Sequence, residues 1–177
     1  IAAALLAFTI FFYVVVYSVW LKRITPQNIV IGGAAGAFPP MIGWVAATQH
    51  FGWEPGILFA IQFFWQFPHF WAIAWVLDDD YKKAGFRLLP TKKRDKTSAV
   101  FTFLSTVILI PVSLLPTFLG FGGYYIAGFS LVAGLLFSWY AYKLMVDLEL
   151  SSARKVMFAS FFYITLVQLI LLFDIVV

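Results

Sequence analysis

Charged residues cut the chain into uncharged runs, Ile1–Leu21, Ile24–Trp53, Pro55–Leu77, Thr97–Tyr142 and Val156–Phe173. A hydrocarbon core about 30 Å thick needs roughly 20 helical residues to cross it. Four of the runs therefore read as single spans. Thr97–Tyr142 is long enough for two, with Gly120-Phe121-Gly122-Gly123 as the turn between them. The pattern predicts an all-α fold, a polytopic transmembrane bundle with helices near 1–21, 28–48, 57–77, 99–118, 125–143 and 156–176. Runs this continuous suit helices rather than the short alternating strands of a barrel. In the second span, Gly32, Gly33 and Gly36 favour close packing, and Pro39-Pro40 predicts a kink.

Charge then orients the bundle. Lys22 and Arg23 follow the first span. Lys82, Lys83, Arg87, Lys92, Lys93, Arg94 and Lys96 lie in the loop 78–98, and Lys143, Arg154 and Lys155 follow the fifth span. The intervening loops, Gln49–Gly56 and the one around Phe121, contain no Lys or Arg. All 12 basic residues thus fall on one face, which the positive-inside rule makes cytoplasmic. Composition agrees: 63% hydrophobic and 11% charged residues exclude a water-soluble domain, a disordered chain and a charge-driven nucleic-acid module. The absence of cysteine excludes disulfides, iron–sulfur clusters and thiolate zinc sites. Ile1 falls inside an apolar span unlike a signal peptide, so the expectation is that these residues form the C-terminal part of a longer protein.

Three groups of residues could carry chemistry. Asp78-Asp79-Asp80 opens the long basic loop, where carboxylates would suit magnesium together with phosphate oxygens. On spacing alone a solvated acidic turn, balanced by Lys82 and Lys83, explains them better. Tyr17 and Lys22-Arg23 end the first span as either an anion clamp or a stop-transfer anchor, and the anchor is the better reading of those residues alone. Gln62, Gln66 and His69 recur at helical spacing among many aromatic residues, which reads equally as a substrate wall or as interhelical hydrogen bonding.

Taken together, the segments YSVWLKRITPQNIVIGGAAGAFPPMIGW, FWQFPHFWAIAW and DDDYKKAGFRLLPTKKRDKTSA resemble the protoheme IX farnesyltransferase family, within the UbiA-type intramembrane prenyltransferases. The resemblance runs along essentially the whole chain and implies the last six helices of a nine-helix fold. It also implies transfer of a farnesyl group from farnesyl diphosphate to a vinyl group of haem B, giving haem O, with Mg2+ as cofactor and haem as substrate. It assigns Lys22, Arg23, Asp79, Asp80 and Tyr81 to catalysis, with Asp79 and Asp80 as metal ligands. Tyr17 and His69 are implied as substrate-binding residues, and Gln66, Lys82 and Arg87 are candidates to bind substrate beside them. The implied setting is a bacterial cytoplasmic membrane with the active-site loops on the cytoplasmic face, the lipid bilayer and haem A synthase as partners, and no nucleic acid. The family's first acidic motif would precede Ile1, so residues 1–177 alone are expected to be inactive.

Another UbiA-type enzyme, such as a 4-hydroxybenzoate polyprenyltransferase, would share the Lys-Arg and acidic loops but not the Pro-His-Phe-Trp-Ala-Ile-Ala segment. A non-catalytic, transporter-like component would favour internal repeats, and none is found. The topology is directly testable. A cysteine introduced at Thr91 should be shielded from an impermeant thiol reagent applied to intact cells, whereas one at Gln49 should react; the opposite result overturns the orientation.

Overall fold

The computed structural model describes residues 1–21 and 28–176, with the backbone alone for 17, 18, 20, 21 and 28–31. The helices among them are α1 (Ala2–Phe11), continued as a π-helical segment (Phe12–Leu21), α2 (Asn28–Gly36), α3 (Phe38–Thr48), α4 (Trp53–Val76), α5 (Asp78–Lys83), α6 (Lys96–Phe118), α7 (Tyr124–Asp147) and α8 (Leu150–Phe173). α4, α6, α7 and α8 are long and apolar enough to cross a membrane. At 1.5 Å per residue, the 24 residues of α4, α7 and α8 extend about 36 Å each. The chain divides into two compact units, residues 1–63 and 64–177.

In the first unit the expected kink is a break at Ala37 between α2 and α3. Pro39 and Pro40 sit in the first turn of α3, where their missing N–H groups leave no intrahelical bond unmade. An aromatic ladder ties this unit together: Phe8 meets Phe38 edge-on at 5.9 Å, Phe38 meets Phe59 at 5.1 Å, and Phe59 stacks on Phe63 at 5.8 Å.

The second unit buries many small and hydroxyl side chains beside a few large ones such as Trp75, Phe137 and Tyr163, and leaves much of its other apolar bulk exposed. Ser98, Thr102, Thr106 and Ser113 of α6 are buried, as are Ser130, Gly134 and Ser138 of α7 and Ser152 and Ser160 of α8. Phe158, Phe162, Leu135 and Val132 are exposed. Lipid is as apolar as leucine, so close backbone approach through small residues, rather than burial of large apolar ones, draws such helices together. At Gly134 an added Cβ would lie 2.7 Å from Ile110 of α6, which shows how near those helices come. Some buried hydroxyls find partners across the bundle, as in Tyr163 donating to Ser113 at 2.8 Å, while Ser130 and Ser138 have none among the described residues.

Two boundaries differ from those expected. The helices meeting near residue 148 run to Asp147 and start at Leu150, so Lys143, Arg154 and Lys155 lie within helices rather than in a loop. Charge marks where the hydrocarbon ends, not where the helix ends. The connection is closed by Leu148 in a left-handed conformation (φ 57°) and by Asp147, whose carboxylate accepts from Glu149 N–H and the Ser152 hydroxyl. Likewise the expected loop 78–98 contains α5, and α6 begins at Lys96.

At the opposite end, α7 begins at Gly123 with no side-chain cap of its own. Asp174, just past α8, takes that role: its Oδ2 accepts from Ile126 N–H at 2.7 Å and its carbonyl from Gly123 N–H at 2.8 Å. A Cβ on Gly123 would meet the Asp174 carboxylate at 2.3 Å. Gly123→Ala and Asp174→Ala should therefore each cost on the order of 1 kcal/mol, the usual worth of a cap. Because both remove the same contact, the double variant should cost about as much as either alone in detergent unfolding titrations.

Candidate functional site

Two polar clusters in the second unit contain most of the residues singled out by sequence. The first lies at the end of α4. Leu77 breaks that helix, and Asp78-Asp79-Asp80 start α5, where their negative charge faces the positive end of the helix dipole. Gly85 (φ 81°) ends α5 in a Schellman arrangement, with Phe86 N–H bonded to Tyr81 O and Gly85 N–H to Lys82 O. A left-handed residue is required there, which accounts for glycine at that position.

Successive residues on a helix point about 100° apart, so the three carboxylates diverge and meet different sets of cations, with Arg94 shared between the first two. Asp78 is 3% exposed and pairs with Lys82 and, at 3.7 Å, with Arg94. Asp79 is exposed and pairs with Arg94 Nη1 at 3.0 Å. Asp80 is exposed and pairs with Lys83 at 3.3 Å. Arg94 also donates through Nε to Trp75 O at 2.8 Å and through Nη2 to Val76 O at 3.5 Å, satisfying the last carbonyls of α4. Sequence reasoning counted Arg94 only as a topological charge. No spacing rule links position 94 to positions 75–79, so its role becomes visible only in three dimensions. Tyr81 is half-buried and Arg87 exposed.

The same loop starts α6. Asp95 is the N-cap and accepts from Ser98 N–H at 2.8 Å and from the Thr91 hydroxyl at 2.7 Å, while Thr91 N–H donates to Ser98 Oγ. Adjacent residues 94 and 95 thus join the end of α4 to the start of α6.

The second cluster lies within the bundle, where α4 meets α8. Ser160 Oγ is 2.7 Å from His69 Nδ1 and 2.5 Å from Met157 O. Trp65 Nε1 donates to Ser160 O at 2.7 Å. The Trp65 and His69 rings stack at 4.4 Å, and Phe161 meets His69 edge-on at 4.7 Å. Gln66 is 3% exposed, and its Oε1 has no hydrogen-bond partner among the described residues. Both readings of the His69 stripe are thereby tied to particular atoms: His69 bonds between helices, and Gln66 keeps an unmet polar atom one turn away.

Lys22 and Arg23 lie outside the described residues, as does the side chain of Tyr17. Among the described residues no group of three His, Asp or Glu side chains is arranged to hold a metal ion. Asp79 and Asp80 offer exposed carboxylates at the mouth, a partial set for an ion such as magnesium, which keeps water and phosphate oxygens in its shell. A separate cleft of about 420 Å³ between α7 and α8 is walled by Phe129, Phe137, Phe158 and Phe162, with Lys155 among its lining residues.

The model of the UbiA prenyltransferase family matches residues 1–166. The chain belongs to the UbiA prenyltransferase family. It is 49% identical over 155 residues to a protoheme IX farnesyltransferase of Cytophaga hutchinsonii, covering 87% of this chain and 54% of that protein. It is 46% identical over 177 residues to that of Brucella ovis, covering 98% of this chain and 57% of the relative. It is 55% identical over 142 residues to that of Parvibaculum lavamentivorans, covering 80% and 45% respectively. The chain therefore spans about half the length of the curated relatives it matches. No solved structure matches it. Members of this family are prenyltransferases, a class that generally uses Mg2+ with a diphosphate substrate.

Acid should loosen the UbiA-family mouth through Asp95. The Ser98 amide first, and then the Thr91 hydroxyl, hold its carboxyl below the usual aspartate range. A carboxyl with a lowered folded value contributes stability above its unfolded pKa of about 3.9 and loses it as pH falls through the folded value. The protection of the Ser98 amide, measured against the intrinsic exchange rate at each pH, should therefore fall below about pH 4. Asp95→Ala should raise the exchange rate at neutral pH and flatten that dependence.

Proposed function

We propose that this UbiA-family protein transfers a farnesyl group from farnesyl diphosphate to a vinyl group of haem B, producing haem O. It works in the bacterial cytoplasmic membrane with its charged mouth toward the cytoplasm, and haem A synthase is the partner implied to act beside it. One observation carries this reading: identity of 46% to a protoheme IX farnesyltransferase along 98% of the chain, a stretch that includes both polar clusters.

The chemistry divides between the clusters. Breaking the allylic C–O bond sends its electron pair to diphosphate, so the mouth must meet growing negative charge. Asp79 and Asp80 would hold Mg2+ with diphosphate oxygens and water completing its shell. When bound, the ion neutralises the leaving group as a Lewis acid. Lys22, Arg23, Lys82 and Arg87 supply further positive charge, and Tyr81 lies on α5 beside the carboxylates. Arg94 holds Asp79 against the end of α4 and orients it without being spent on the substrate. Within the bundle, Gln66 and His69 stand for the haem side, where aromatic walls shield the allylic cation while the vinyl π electrons form the new C–C bond. The cation this leaves on the other vinyl carbon then adds one water, which loses a proton to give the alcohol. Aromatic faces also favour a cation electrostatically. Tyr17 completes the substrate-binding residues.

Turnover of the full-length protein separates these roles. Asp80→Ala and Lys22→Ala should each lower haem O production by about 10²-fold or more, the scale of losing one group that stabilises charge developing in the transition state. Folding should be little affected, because Asp80 is exposed and its ion pair with Lys83 is solvated. Near-normal turnover by either variant overturns the role of that residue. Transfer to 4-hydroxybenzoate instead of haem B overturns the substrate.

A further inference from the structure

We propose that Ser160 is a positioning residue that fixes the tautomer of His69, so that His69 meets haem as an electron-pair donor to iron rather than as a hydrogen-bond donor to a propionate. The inference rests on the haem reading for its ligand, but on geometry alone for the tautomer.

Counting protons leads to it. Ser160 Oγ lies 2.5 Å from Met157 O and 2.7 Å from His69 Nδ1. A carbonyl oxygen has no proton to give, so the contact at 2.5 Å uses the one hydroxyl proton that Ser160 owns. The hydroxyl oxygen then has only lone pairs left for His69, and the proton in the second contact must come from Nδ1. In the neutral ring Nε2 is therefore bare. It can accept a hydrogen bond or coordinate a metal, but it has nothing to donate to a carboxylate. A histidine that ligates a metal characteristically gives its other N–H to a neighbouring acceptor, which fixes its orientation and strengthens it as a ligand. Ser160 is such an acceptor.

The rest of the cluster holds the ring in this pose. Trp65 stacks on it at 4.4 Å with 18° between the planes, and Phe161 stands nearly perpendicular at 81°. Trp65 is itself anchored by Nε1 on Ser160 O, so one residue of α8 positions both rings through different atoms. Replacing the Ser160 hydroxyl leaves that backbone bond in place. The variant thus isolates the contact to His69 from the packing of α4 on α8.

The test uses the full-length protein in bilayers with 13C,15N-labelled histidine, observed by solid-state NMR at pH 9, where an ordinary histidine, of pKa about 6.5, is neutral. His69→Gln identifies the resonance. Wild-type His69 should show a protonated Nδ1 and a bare Nε2. Ser160→Ala should move it toward the Nε2–H form, and Ser160→Thr, which keeps a hydroxyl, should restore the original pattern. A wild-type ring protonated at Nε2 overturns the proposal. Titration with ferric haem B supplies the second readout. The spectrum of a nitrogen-ligated iron should be lost in His69→Ala, and haem affinity should fall about 10-fold or more in Ser160→Ala, with recovery in Ser160→Thr. A haem spectrum unchanged by His69→Ala overturns the ligand role. Failure of wild-type protein to bind haem overturns the haem reading, while the tautomer stands or falls on its own spectrum.

Discussion

Helix ends at the edge of a membrane leave carbonyl and amide groups that neither the helix nor the lipid can satisfy. In the second unit these ends are met by side chains, two of them from distant parts of the chain. Arg94 covers the last carbonyls of α4, Asp95 the first amides of α6, Asp174 those of α7, and Asp147 bonds the turn into α8. Four apolar helices have little hydrophobic reason to choose one arrangement in lipid, so these polar closures and the small-residue contacts decide it.

The same device shapes the charged mouth. A guanidinium placed to close α4 also lies against Asp78 and Asp79, so structural and chemical demands share one group. Asp78, buried and doubly paired, is the structural member of the triad, because stranding its charge in the interior would be costly. Asp79 and Asp80 keep their carboxylates in water, where an incoming cation can compete with Arg94 and Lys83 for them. Three identical residues in a row thus divide into two kinds, according to which way less than one turn of helix points them.

Within the bundle the balance runs the other way. His69 and Trp65 are buried, and both find partners on α8, which makes their positions precise. Gln66 retains an unmet acceptor, and among the described residues the Ser130 and Ser138 hydroxyls of α7 are likewise without a hydrogen-bond partner. Near His69 the one polar atom left unmet among the described residues is Gln66 Oε1, within one helical turn of the ring.

The existence of the long helices, the membrane class and the charged loop were legible from the chain alone, because a length of uncharged residues is a one-dimensional property that maps directly onto bilayer thickness. The break forced near Pro39-Pro40 was legible for a similar reason, since proline acts on its own backbone. Helix ends near Lys143 and Arg154 were not, because charged side chains can extend past the hydrocarbon edge while the backbone stays helical. Nor could α7 announce its buried face: Ser130, Gly134 and Ser138 are small residues in an apolar helix, and only a neighbour as close as Ile110 shows which side is covered. The partnership of Arg94 with Trp75, of Asp174 with Ile126 and of Ser160 with His69 joins residues 19, 48 and 91 positions apart. Such pairings depend on how the helices come to lie beside one another, and local sequence has no periodicity that encodes them. The residue types at the site were therefore written in the chain, while the choice of which aspartate is buried and which nitrogen of His69 is bare was made by tertiary packing.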